Sequence, residues 1–358
     1  MPRKENSKLK RKNNAKAIAT KIAMAFCMHF FTRVFIRCSI DSKERNIIMN
    51  QKYLPEGLLY GTAQNKEYIS SLSGLEKAMR EGRIIEAPAA MCDSDMNLYI
   101  DLGGIREIMP RDEVALCRDG EEIKSIAVIT RVGKAVCFKV TAITEEQGTT
   151  VAYLSRRAAQ AECKREFLFD LMCGDIIKSK ITHMENFGAF VDIGCGIASL
   201  LTIDCISVSR ISHPSDRFEV GEYIPVIIKN IDVENERIFV SHRELLGTWE
   251  ENAALFQPSQ TVSGIVRSIE DYGIFVELTP NLAGLAEYKA NVKVGDVASV
   301  YIKSILPERM KIKLVIIDSA PGEIPKKRKY YIDCEKTEHL DSWTYSPECA
   351  NRVVETIF

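Results

Sequence analysis

The sequence lacks the short motifs that mark most enzymes of phosphate, metal or acyl chemistry. Its 358 residues contain no Cys-x-x-Cys pair, no GxxxxGK[ST], no GxGxxG after a predicted strand, no HExxH and no GxSxG. The five histidines are dispersed, and no carboxylates form a spaced pair on a predicted helix. Each motif positions groups for one kind of catalysis. We therefore predict a protein that is not an enzyme, with no catalytic residues, no metal site, no cofactor and no small-molecule substrate.

The sequence also lacks a large net charge and an even number of cysteines. The formal net charge is −1, so no global basic field attracts nucleic acid and any polyanion must be bound locally. Eleven cysteines are an odd number, which excludes a complete intrachain disulfide framework. Reduced, packed thiols in a cytosol are the simplest interpretation, so we predict a cytoplasmic protein.

The first 48 residues differ from the rest of the chain. A lysine-rich start precedes the apolar run 22–36, which Arg33 interrupts and which is too short and too charged for a membrane span. We interpret residues 1–48 as a non-native or disordered extension, because Met49 opens a credible start. A targeting segment is the alternative, although a small-residue cleavage site is missing.

A repeat organises the remainder. A shift of 85 residues aligns ITHMENFGAFVDI with VRSIEDYGIFVEL, and a shift of 91 places FVDIG on YIDLG at residues 99–103. Each unit contains about five short β-rich runs in roughly seventy residues, which suits a small closed barrel of the OB type. We predict a mainly β protein of tandem five-stranded barrels joined by short helices. The expected order is as follows: a helical lead-in at 49–83, a degenerate first unit at 84–150, a helical linker at 153–172, a second unit at 174–242, a second helical linker at 244–257, a third unit at 259–317 and a tail at 318–358.

Two aromatic residues recur three positions apart around a glycine. They are Phe187 and Phe190 in the second unit and Tyr272 and Phe275 in the third. Alternation along a strand would send each pair to opposite faces, but a bulge at Gly188 would bring both rings to the outer face. Burial in the core is the alternative. Because the pair recurs, and because the tyrosine at the first position of the third unit is a flat ring that tolerates water, we predict exposed rings that stack on unpaired bases.

These residues carry a resemblance to a known family. The segments GDIIKSKITHMENFGAFVDIGCGIASLL and HPSDRFEVGEYIPVIIKNIDVENERIFVSHRE resemble the S1 RNA-binding domain, which bacterial ribosomal protein S1 carries in tandem. Three copies cover residues 84–317, of which the second is the most similar and the first the least. The resemblance implies that the RNA-binding face includes two aromatics, a histidine, an aspartate and an arginine. Its implied RNA-binding residues are Phe187, Phe190, Thr202, Asp232, Arg237, Tyr272, Phe275 and Lys311.

The sequence departs from the family pattern at several of these positions. The histidine position falls on Thr202 in the second copy and on Glu287 in the third, where the aspartate position falls on Leu306. Arg237 has a second interpretation, a surface ion pair with Glu234 or Glu236. In the tail, the basic cluster 326–329 beside two tyrosines is either a surface that follows an RNA backbone or a solvated linker.

The resemblance implies a single-stranded RNA (messenger RNA) binding protein of the ribosomal S1 type that acts in translation, with the small ribosomal subunit as a further partner and no membrane. Two alternatives stay open. One is an S1-domain factor in RNA turnover or transcription, and the other is a protein–protein scaffold without RNA, which the acidic balance of the second unit favours.

Overall fold

Three closed five-stranded barrels follow one another along the chain. The computed structural model describes residues 52–102, 105–117, 121–322 and 328–358. In each barrel the strands are hydrogen-bonded in the order first, second, third, fifth, fourth, and the fourth closes onto the first. The predicted fold class, mainly β with tandem five-stranded barrels of the OB type, is confirmed. The predicted extension 1–48 lies outside the described residues.

Two short helices precede the first barrel, α1 (Ala63–Ile69) and α2 (Leu72–Glu81). The helical lead-in predicted over 49–83 is interrupted, because α1 ends at Ile69 and Ser71 caps α2 by accepting a hydrogen bond from the Gly74 N–H. The strands of the first barrel are β1 (Ile85–Cys92), β2 (Leu98–Ile100), β3 (Arg106–Met109), β4 (Ala135–Glu146) and β5 (Thr149–Ser155), with α3 (Ser125–Ile129) before β4.

The first linker is shorter than expected. Residues 153–155 continue strand β5 and pair with β4, so the helix predicted over 153–172 begins only at Arg156 as α4 (Arg156–Glu166). Ser155 ends the strand and caps α4, since its hydroxyl accepts from the Ala158 N–H. The second barrel follows as β6 (Ile176–Glu185), β7 (Gly188–Asp192), β8 (Ala198–Thr202), β9 (Tyr223–Asp232) and β10 (Arg237–Ser241).

The second linker is interrupted as well. Gly247 has φ +84°, and a Cβ there would lie 2.6 Å from a carbon of the Tyr331 ring, so the helix expected over 244–257 breaks at this residue. A helix begins again after Thr248 as α5 (Trp249–Ala253). The third barrel comprises β11 (Thr261–Glu270), β12 (Gly273–Thr279), β13 (Leu282–Ala286), β14 (Val297–Leu306) and β15 (Lys311–Ala320).

Short 3-10 helices connect several strands. They span Arg111–Glu113, Leu168–Asp170, Ile203–Cys205, Pro214–Asp216, Arg243–Leu246 and Pro307–Arg309. No helix in the described ranges has the length and apolar character needed to cross a membrane.

The tail packs against the second and third barrels. Its hairpin, β16 (Ser342–Thr344) with β17 (Glu355–Ile357), buries Trp343 and Tyr345 in the core cluster of the third barrel. Arg328 lies 4.9 Å over the Phe218 ring and pairs with Glu222 of the second barrel. In the predicted basic cluster, Arg328 is therefore part of the packed structure rather than of a solvated linker or an RNA surface. Lys326 and Lys327 lie outside the described residues.

Paired charges buried between elements hold neighbouring barrels together. Glu56, before α1, binds the Arg156 guanidinium at 2.6 and 3.0 Å, and its N–H donates to Asp192 of the second barrel at 2.7 Å. Between the second and third barrels, the Glu277 carboxylate accepts from Arg217 and from Arg267, both at 2.6 Å. Because these charges are buried, breaking either group leaves an uncompensated ion.

Glu86 makes stability depend on pH. It is fully buried, and its Oε2 accepts from the N–H groups of Gly57, Leu59 and Tyr60 at 2.9–3.0 Å. Burial raises the pKa of Glu86 from about 4.5 to about 7. The folded protein then keeps a proton that the unfolded chain has released, so the free energy of unfolding falls as pH rises from about 4.5 to about 7.

We expect Glu86→Gln to flatten this decrease, because the neutral amide retains the acceptor oxygen without a titrating proton. Urea unfolding at about pH 5 and pH 8 measures it. The slope does not vanish, since burial also raises the pKa of Glu107 to about 7. Glu67→Gln, at an exposed residue, is the control for the removal of one carboxylate from the surface. An equal slope in Glu86→Gln and the parent would contradict the prediction.

Candidate nucleic-acid interface

The two predicted aromatic pairs lie at the same place in the second and third barrels. Phe187 occupies the turn between β6 and β7 and is 55% exposed, while Phe190 is half-buried on β7. Their ring centroids are 6.1 Å apart at 90°. Tyr272 is 70% exposed and its ring centroid is 6.1 Å from that of Phe275, at 88°. We call each set a ring pair. The two ring pairs thus present one geometry to solvent.

The reason both rings share a face differs from the prediction. The predicted bulge at Gly188 is wrong. Glu185 pairs with Gly188 in register, and the register shift lies on the facing strand β6, between Ile181 and His183. Phe187 lies in the turn, where strand alternation does not apply. Glycine is needed at position 188 because the backbone of strand β8 passes close to it. A Cβ at Gly188 would lie 2.4 Å from the Leu201 carbonyl oxygen.

The same contact explains the glycine of the third barrel. A Cβ on Gly273 would lie 2.4 Å from the Ala286 carbonyl oxygen, on the neighbouring strand β13. The bulge again lies on the first strand, between Val266 and Ser268. The glycine between the two rings therefore lets the next strand approach, and the bulge opposite sets the register.

His183 joins the ring pair of the second barrel and was missed by the sequence analysis. It lies directly opposite Phe190 on β6, with ring centroids 6.2 Å apart and planes at 20°. Its Nε2 lies 2.7 Å from the Glu185 carboxylate. The bulge decides this placement, because without it His183 would alternate to the other face. In the third barrel the corresponding residue is Ser268, so the second barrel has three rings at this place and the third has two.

Thr202 lies at the end of β8, opposite Gly188. It is half-buried, and its hydroxyl hydrogen-bonds the Asp204 carboxylate. Burial by itself would raise the pKa of Asp204, but this bond and the nearby Lys229 ammonium hold it below its ordinary value. Thr202 thus lies beside Phe187, although its hydroxyl already has a partner.

Asp232 and Arg237 face each other at the end of the β9–β10 hairpin. Asp232 organises the turn, since its oxygens accept from the backbone and side-chain nitrogens of Asn235 at 3.0 and 2.8 Å. The backbone hydrogen bond is the main reason that the pKa of Asp232 lies below its ordinary value. Arg237 is exposed. Of its two expected acidic partners, Glu236 instead pairs with Lys164.

In the third barrel the hairpin end is basic. Lys311 is exposed and pairs in register with Leu306, as Arg237 does with Asp232. Lys303 and Lys313 are exposed on the same pair of strands. Arg237 and these three lysines form no ion pair with any residue in the described ranges. These four side chains, at the hairpin ends of the second and third barrels, are available to an incoming phosphate.

The first barrel departs from this arrangement. Met96, where the first ring would be, has φ +65° and packs against the core of its own barrel. Tyr99 is half-buried on β2, with the Arg106 guanidinium 5.8 Å from its ring centroid. No ring pair of the kind described above forms here. Within the described ranges, no three His, Cys, Asp or Glu side chains come together as a metal site.

Comparison with known proteins agrees with the barrel fold described above. A model of the S1 RNA binding domain family matches residues 170–243, which cover the second barrel. The resemblance to that family is therefore confirmed. The small ribosomal subunit protein bS1 homolog of Bacillus subtilis is 31% identical over 199 residues, which are 53% of this chain and 50% of that protein.

Two further relatives carry the name small ribosomal subunit protein bS1. The protein of Staphylococcus saprophyticus is 32% identical over 186 residues, 48% of this chain and 47% of its own length. That of Mycobacterium tuberculosis is 29% identical over 290 residues, 76% of this chain and 56% of its own length. The chain spans about half the length of these relatives.

Proposed function

We propose that this protein binds single-stranded RNA, including messenger RNA, through the ring pairs of its second and third barrels. The observation that carries the proposal is the recurrence of two exposed, perpendicular rings at one position in consecutive barrels. Exposed flat rings beside unpaired cations suit single-stranded nucleic acid, because every base has a face that can stack.

The proposed place of action is translation, in the cytoplasm and in association with the small ribosomal subunit. The support is the name that the relatives carry, small ribosomal subunit protein bS1, together with the match to the S1 RNA binding domain. The protein acts by binding and carries out no reaction. Tethered barrels that bind one strand raise each other's effective concentration, so two weak sites yield useful affinity.

A titration of single-stranded RNA at about 50 and 200 mM salt tests the proposal. Arg237 and the three exposed lysines offer contacts to about three or four phosphates, which predicts a slope of log K against log salt of about −2 to −3. Fluorescence anisotropy with a labelled oligouridylate of about 12 nucleotides measures both quantities. Absence of binding at the lower salt would contradict the proposal and favour the scaffold function.

A further inference from the structure

Strand register places a further aromatic residue near the ring pair of the second barrel. Phe190 on β7 lies directly opposite Leu200 on β8, and Leu200 lies directly beside Phe239 on β10. All three are half-buried. Of their neighbours along the strands, Ala189, Val191, Ser199, Leu201 and Val240 are buried and Ile238 is half-buried. Side chains at paired positions point to the same side of a sheet. Phe190, Leu200 and Phe239 therefore form one outward row, which we call the cross-barrel row.

The same row recurs in the other two barrels. In the first barrel it is Tyr99, Ile108 and Tyr153, and in the third it is Phe275, Leu285 and Lys313. The first member is always aromatic and the second always aliphatic. The third member is aromatic in the first two barrels and a lysine in the third, which is one chemical difference between the second and third barrels.

The position of Phe239 suits contact with a nucleotide. Neighbouring strands are about 4.8 Å apart, so Phe239 lies about 10 Å from Phe190 with Leu200 between them. Arg237 is two residues earlier on β10, on the same face and exposed. Phe239 thus lies on the same face as Phe190 and Arg237. A ring that only filled the core would be fully buried, as Phe218 is.

We propose that Phe239 is a further base-stacking ring of the second barrel, in addition to Phe187 and Phe190, and that Lys313 supplies a phosphate contact at the same position of the third. The inference rests on the proposed function and extends it. The second barrel then holds three bases on an apolar surface, and its binding depends little on salt. The third barrel stacks fewer bases and contacts more phosphate groups of the RNA, so its affinity falls more as the salt concentration rises.

Phe239→Leu tests the first half in the full chain, with the oligouridylate described above. Loss of one stack is expected to raise Kd about 5- to 150-fold, by a similar factor at both salt concentrations. Phe239→Tyr keeps a flat ring and is expected to bind as the parent does. Lys313→Ala is the matched variant in the third barrel, and we expect it to reduce the salt slope by about 0.7.

Crosslinking provides a readout that does not depend on a variant's stability. RNA containing 4-thiouridine, irradiated on the parent protein, is expected to label the tryptic peptide 238–243, which contains Phe239. If Phe239→Leu unfolds at a lower temperature than the parent, the crosslink on the parent protein decides: a labelled peptide 238–243 supports the inference, and an unlabelled one overturns it.

The outcomes separate this inference from the proposed function. If Phe239→Leu binds as the parent does while Phe187→Ala with Phe190→Ala loses affinity, the role of Phe239 is wrong and RNA binding stands. An unchanged salt slope in Lys313→Ala overturns the role of Lys313. Absence of RNA binding by the parent overturns the proposed function and this inference together.

Discussion

Replacing Phe187 and Phe190 together by alanine is expected to raise the Kd for single-stranded RNA by about 30-fold or more. The estimate follows from two stacked bases, each contributing about 1–3 kcal/mol. Phe187 is 55% exposed in a turn, and Phe190 is half-buried on the outer face, so the fold loses little. Fluorescence anisotropy measures the affinity, and thermal unfolding measures the stability.

Three further variants sharpen this experiment. Phe187→Tyr keeps the ring in the form that Tyr272 has, so the affinity of the parent is expected. Phe169→Ala removes an equally large ring of similar exposure, 44%, outside the barrel strands, and is expected to bind RNA normally. Adding Tyr272→Ala and Phe275→Ala to the double variant removes both ring pairs and is expected to reduce binding further.

Two results would contradict the proposal. An unchanged Kd in the variant that lacks both ring pairs would show that the rings do not bind RNA. If the double variant unfolds at a temperature far below that of the parent, the rings support the core instead.

Replacing Arg156 by alanine is expected to lower the free energy of unfolding by about 3–5 kcal/mol, the usual effect of breaking a buried ion pair. Arg156 is 1% exposed and donates to Glu56, to the Val114 carbonyl at 3.1 Å and to the Gly196 carbonyl at 3.3 Å. Burial by itself would raise the pKa of Glu56, but the Arg156 charge holds it below its ordinary value. Without Arg156, a buried carboxylate loses its main partner.

The contacts of Arg156 join the first barrel to the second, so the loss should appear as earlier unfolding of both. Urea unfolding followed by circular dichroism measures it. Adding Glu56→Gln to Arg156→Ala removes the stranded charge, and we expect it to recover part of the stability. Lys77→Ala removes a 2.8 Å pair between exposed side chains and is expected to cost less than about 1 kcal/mol. Equal losses in Arg156→Ala and Lys77→Ala would contradict the assigned role.

Sequence patterns predicted the features that depend on neighbours along the chain. The repeat, the five β-rich runs of each unit and the FGxF spacing led to the barrels and to the rings at Phe187 and Tyr272. Local signals also gave approximate linkers. Their limits were wrong where a cap or a tertiary contact decides the end of an element, as at Ser155 and Gly247.

The sequence by itself therefore determined three barrels and which of their turns carry aromatic rings, because alternation and turn residues act over a few positions. Only the tertiary structure placed His183 and Phe239 near Phe190, and Arg328 against Glu222. The first two positions depend on a bulge and on the pairing of β8 with β10, and the third depends on docking of the tail. Such contacts join residues far apart in the chain, and they form only when each barrel closes and the tail packs against it.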